Sequence, residues 1–131
     1  MHGFYGRFLE SVKKYPELIA VELQRASGAV ESVSYAELHR RGESVANWLR
    51  SSGLTAGARC AIIAPNAPRW VAAYLGIMAS GGVVVPLDTS FNAQQVSKLL
   101  RDSGSTFLFT DARLLPVVEK AVEGTSVRVA L

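Results

Sequence analysis

Apolar and polar residues change their period along the chain, and each change marks a different element. Phe8, Leu9 and Val12 recur at helical spacing. Tyr15-Pro16 ends that helix, because a proline pushes the residue before it out of the helical region. Leu18 to Leu23 is apolar and rich in strand formers. Ala26-Ser27-Gly28-Ala29 reads as a turn, and Val30 to Val33 alternates apolar with polar as a half-buried strand does. Together they predict a hairpin. Ser34-Tyr35-Ala36-Glu37 then has the form of a capping box, with Ser34 as N-cap and Glu37 three residues on. Leu38, Gly42, Val45 and Leu49 follow at spacings of 4, 3 and 4 on one face. Arg40, Arg41, Glu43 and Arg50 lie mostly off that face, as solvated surface, and Gly53 closes the helix.

From Arg59 onward the rhythm becomes strand, helix, strand, helix. Cys60-Ala61-Ile62-Ile63-Ala64 is continuously apolar, the pattern of a strand covered on both faces in a parallel sheet. Asn66 is placed as the N-cap of a helix with Pro68 in its first turn. Trp70, Val71, Tyr74, Leu75, Ile77 and Met78 leave that helix almost no polar face, so it is expected to be buried nearly all round. Gly81-Gly82 ends it, and Val83-Val84-Val85 is a strand stopped by Pro86. Asn92 with Gln95 forms a second capping pair ahead of Val96, Leu99 and Leu100, and Gly104 closes that helix. Thr106 to Phe109 is the next strand. A last helix carries Leu114, Leu115 and Val118, starting near Leu114 because Pro116 is tolerated only in a first turn. Val127 to Leu131 is a further strand.

Strand starts near 60, 83, 106 and 127 recur at about one strand–helix unit, with no sequence repeat behind them. The predicted fold is therefore α/β: a mostly parallel sheet with helices on both faces, preceded by an N-terminal helix and β-hairpin. Residues 1–57 hold the helix, hairpin and capped helix, and 58–131 the repeated units. Ending on an apolar strand is expected of a segment of a longer polypeptide, one whose truncated surface favours dimer formation.

Composition narrows the function classes. Apolar residues make up 49% of the chain and charged residues 19%, a globular balance. The net charge of +3 is scattered, with Arg40-Arg41 no more than an adjacent basic pair, so the basic stripe of a nucleic-acid binder is missing. The single cysteine, Cys60, lies in an apolar run and reads as a core residue. No apolar stretch nears the ~20 residues of a membrane span. Met1 to Gly6 lacks the apolar core of a secretory signal, so the expected compartment is the cytoplasm.

No catalytic constellation emerges from the residues themselves. Gly76 to Gly81 has the glycine spacing of a phosphate loop, but Gly82 and Val83 follow where Lys and Ser or Thr are required. It also falls at a helix C-terminus, where the dipole repels anions. His2 and His39 are unaccompanied, His39 on an exposed helix face, so no metal site is expected. Asp88, Asp102 and Asp111 sit at loops or helix ends, where capping is their commoner role.

The stretch Ala61-Ile62-Ile63-Ala64-Pro65-Asn66-Ala67-Pro68-Arg69-Trp70, continued by Tyr74-Leu75-Gly76-Ile77-Met78-Ala79-Ser80-Gly81-Gly82-Val83-Val84-Val85-Pro86-Leu87-Asp88, resembles the N-terminal part of adenylate-forming enzymes. Tyr15 to Val21, Ser34 to Leu38, Leu99 to Ser103 and Phe107 to Thr110 extend the resemblance in the right order over nearly the whole chain. Departures are local: Ala58 follows Gly57 where Asp is common, Gly82 replaces a commoner Ala, and Ala93 stands where Thr is frequent.

The resemblance, of the acyl-CoA synthetase or fatty-acid–CoA ligase type, implies ATP-dependent activation of a carboxylic acid to an acyl-adenylate. Thioester formation with CoA follows, with Mg²⁺ balancing phosphate charge. It also implies that the phosphate loop, ATP-binding motifs and catalytic lysine come after Leu131. This segment is then scaffold, inactive alone, with the rest of its polypeptide as partner. Ligands in open α/β sheets bind beyond the carboxyl ends of strands. Thr89, Phe91 and Asn92, in the loop after Val83–Val85, are accordingly the candidate CoA-side residues, although no basic residue stands there. Two alternatives remain: an amino-acid-activating or acyl-AMP ligase of the same superfamily, and a noncatalytic α/β interaction module.

Overall fold

A computed structural model describes residues 3–131, so His2 lies outside the described residues. In chain order the elements are α1 (Phe4–Lys14), β1 (Ile19–Gln24), β2 (Val30–Ser34), α2 (Tyr35–Ser51), β3 (Arg59–Ile63), α3 (Pro68–Ala79), β4 (Val83–Pro86), α4 (Ala93–Ser103), β5 (Phe107–Thr110), α5 (Leu115–Ala121) and β6 (Arg128–Ala130). The described residues form a four-stranded parallel sheet, an antiparallel hairpin and five helices, so the α/β reading holds. The chain forms two compact units. One runs up to Gly53 and takes in Asn66–Ser80; the other is Leu54–Pro65 with Gly81–Leu131.

In the first unit β1 and β2 pair antiparallel, Val21 opposite Val33 and Leu23 opposite Glu31. Val33 turns into the core, while Ser32 on the other face donates to Glu22 across the pair at 2.9 Å. The turn closes through Arg25 N–H to Ala29 O, with Gly28 at a φ of 90° that side chains disfavour. Tyr5, Phe8, Val33, Leu38, Ala72 and Leu75 form the buried cluster. Burying the Phe8, Val33, Leu38 and Leu75 side chains contributes about 1.5–3 kcal/mol each. α2 begins where the capping residues place it, with the Ser34 hydroxyl accepting the Glu37 N–H at 3.2 Å. The return bond of a capping box is not the job of Glu37, whose carboxylate is held by Arg40 and Arg41 instead.

α2 and α3 meet at two glycines. A Cβ on Gly76 would fall 2.5 Å from the Val45 side chain and 2.8 Å from Gly42 O. Nearly every residue of α3 is buried or half-buried, Arg69 being its exposed exception, as the lack of a polar face requires. Its cap corrects the sequence reading. Ala67, not Asn66, is the N-cap, without a side-chain bond, and Pro68 opens the helix. Pro68 suits the first helical position because its missing N–H has no partner there and its φ is already helical, which moves the cap to residue 67.

In the second unit all strands run parallel in the order β4-β3-β5-β6. Cys60 stands opposite both Val84 and Phe107, and Leu108 opposite both Ala61 and Val129. On one face Ala61, Ile63 and Leu108 pack with Val96 and Leu100 of α4 and Val118 and Ala121 of α5. Cys60, Ile62, Phe107 and Phe109, on the alternate positions, are buried too. β4 includes Pro86, one residue past the predicted stop, which an edge strand tolerates because one side of its ladder is unpaired. α4 carries the complete capping box of Asn92 and Gln95 and ends at Gly104 with φ 66°. α5 starts at Leu115, with Pro116 in its first turn.

Candidate functional site

Parallel strands deliver their following loops to one end of a sheet, and that end is where α/β proteins hold ligands. The loop after β4 reaches it directly. Leu87 extends the ladder by one bond, its N–H donating to Ile62 O at 2.8 Å, and the chain then leaves the sheet. Asp88 shapes the turn: one carboxylate oxygen accepts from the Ser90 N–H at 2.8 Å and the Ser90 hydroxyl at 2.7 Å. Those two bonds favour the ionised form and hold the Asp88 carboxyl below its ordinary range. Phe91 N–H returns to Asp88 O at 3.2 Å.

Thr89, Phe91 and Asn92 thus occupy one short loop, with different commitments. The Asn92 amide oxygen accepts the Gln95 N–H and its own N–H donates to the Gln95 side chain, both at 2.9 Å. That side chain starts α4. Phe91 is half-buried against the core of the second unit. Thr89 is exposed. The partnership of Asp88 with Ser90 was not foreseen, although an Asp two residues before a Ser is a readable turn signal.

The remaining candidates have structural roles. Cys60 is fully buried in the sheet, and burial pushes its thiol up to about 11, so it is no nucleophile. Asp102 pairs with Lys98 one turn away, and Asp111 accepts the Leu114 N–H at 2.9 Å ahead of α5. Trp70 is half-buried with its ring centroid 5.3 Å from that of Tyr74. His39 is not on an exposed face: it is half-buried with its ring edge-on to Phe8, because α1 lies over this part of α2, and its Nε2 stands 3.8 Å from Glu43. The same Glu43 oxygen accepts from the Tyr5 hydroxyl at 3.0 Å.

Among the described residues no three His, Cys, Asp or Glu side chains come together. The glycines at 76 and 81 cradle no phosphate. Gly76 is packed against Val45, and Gly81 follows the C-terminal end of α3, where carbonyls rather than N–H groups are free. Between Gly82 and Ser97 there is no Lys or Arg, so the β4–α4 loop has no side-chain cation for the phosphates of CoA.

Similarity to known proteins supplies what the local chemistry does not. The chain is 33% identical over 111 residues to tyrocidine synthase 3 of Brevibacillus parabrevis, covering 85% of this chain and 2% of that protein. To the fatty acid–[acyl-carrier-protein] ligase ScoC of Streptomyces coeruleorubidus it is 35% identical over 89 residues, covering 68% of this chain and 17% of the ligase. The chain therefore spans a small part of the relatives it matches. A crystal structure of a benzoate CoA ligase from Burkholderia xenovorans LB400 superposes with a TM-score of 0.86 at 20% identity, over 98% of this chain and 25% of the ligase, which establishes a shared fold. Residues 8–130 match the AMP-binding enzyme family, and the chain belongs to that family as the N-terminal segment of its fold.

Proposed function

We propose that the chain is the scaffold segment of an AMP-forming acid–thiol ligase. In the full-length protein a carboxylate oxygen attacks the α-phosphorus of ATP and pyrophosphate leaves. A thiol sulfur then attacks the acyl carbonyl of the adenylate and AMP leaves. In the first reading the thiol is CoA. Membership of the AMP-binding enzyme family across residues 8–130 carries the proposal. The segment's own part is mechanical: a dry parallel sheet that holds the β4–α4 loop, with Thr89 and Phe91 offered toward the acceptor and Asn92 fixing the start of α4.

A second reading has its own support. CoA carries a phosphorylated nucleotide of several negative charges, while the Asp88–Asn92 loop presents an ionised Asp88 and no cation. Like charges at an approach surface lower association rates. Acceptors that bring pantetheine on a carrier protein present a single phosphodiester in place of the phosphorylated nucleotide and lessen that repulsion, and the relative whose name specifies an acyl-carrier protein, ScoC, agrees with such an acceptor.

Two assays on the full-length protein test these readings. ATP–pyrophosphate exchange is expected only when a carboxylic acid is present, with a panel of fatty, aromatic and amino acids finding the substrate. Absence of exchange with every acid would remove the ligase. AMP release is then compared with CoA and with a pantetheine-bearing carrier protein. Phe91→Ala is expected to raise KM for the preferred acceptor and leave exchange unchanged. An unaltered acceptor KM would take Phe91 out of the acceptor path.

A further inference from the structure

We draw no further inference here: the strongest candidate, the exposed apolar side chains Tyr15, Leu18 and Ile19 at the junction of α1 and β1, carries nothing because nothing in the structure shows what covers them.

Discussion

The two glycines at the crossing of α2 and α3 are expected to respond to the same substitution with opposite signs. In Gly76→Ala the new methyl group falls 2.5 Å from Cβ and Cγ1 of Val45 and 2.8 Å from the backbone oxygen of Gly42. A rotamer change at Val45 cannot move its own Cβ or the Gly42 carbonyl, so the helices must separate. Overpacking of this kind costs about 1–3 kcal/mol. Alanine recovers up to ~1 kcal/mol in helix propensity. Contacts this short with atoms that cannot turn away put the cost at the upper end, about 2–3 kcal/mol, so the balance is a net loss of about 1–2 kcal/mol, a fall in Tm of roughly 3–12 °C for a domain of this size. In Gly42→Ala the nearest atoms are Leu75 Cβ at 3.5 Å, Gly76 N at 3.7 Å and Ala72 O at 3.8 Å, all ordinary contacts. The propensity gain then stands largely unopposed, and about 0.5–1 kcal/mol of stabilisation is expected. Urea unfolding followed by circular dichroism measures both variants. Val45→Ala in the Gly76→Ala background should recover only part of the loss, because the clashes with Cβ of residue 45 and with the Gly42 carbonyl remain. A Gly76→Ala protein as stable as the parent, or less affected than Gly42→Ala, would show that the helices do not approach as described.

Three further outcomes follow from local bonds and charges. Asn92→Ala removes an N-cap that takes part in two reciprocal bonds, and a loss of about 1 kcal/mol is expected in the same urea assay. Glu37 is held near a pKa of about 2, chiefly by hydrogen bonds from Arg40 and then Arg41. A depressed carboxylate stabilises the fold above its ordinary pKa of ~4.3 and loses that contribution as pH falls toward 2. Glu37→Gln should therefore flatten the acid limb of stability between those values. The change should be small and removed by high salt, because Glu37 is a surface group. Cys60, with its thiol at about 11 and no exposure, should react with Ellman's reagent only as fast as the protein unfolds. Fast labelling of the native protein at neutral pH would contradict the burial.

What the sequence disclosed, and what it withheld, divides along a physical line. Capping residues act within four positions of themselves, so Ser34, Asn92, Gly104 and the first-turn Pro116 marked helix ends where the structure has them. The continuous apolar runs disclosed a parallel sheet for the same reason: both faces of Cys60–Ile63 are dry. Strand order is different. That β3 lies between β4 and β5, rather than at the start of the row, is fixed by crossovers whose landing side leaves no periodic trace. The Asn66 cap failed because two local signals competed and Pro68 prevailed. Gly76 was legible as a glycine inside an apolar helix, but its purpose depends on Val45, thirty-one positions earlier, which periodicity on a single helix cannot reveal.

The candidate site follows the same division, and it explains why the family was easier to read than the chemistry. The segments that carry the resemblance are the capped helices, the dry β3 strand and the β3–α3–β4 passage, all of which a scaffold must keep in order to fold. Reacting groups must converge from distant positions, and here three polar side chains at the carboxyl end of the sheet are already engaged. Asp88 is bound to Ser90, Asn92 to Gln95, and Asp111 to the start of α5. Those bonds build the loops rather than catalyse. On the function proposed above, such a segment bears on the approach of the acceptor through the charge and shape of the β4–α4 loop. That loop is accordingly where substitution should alter the choice of thiol without altering acid activation.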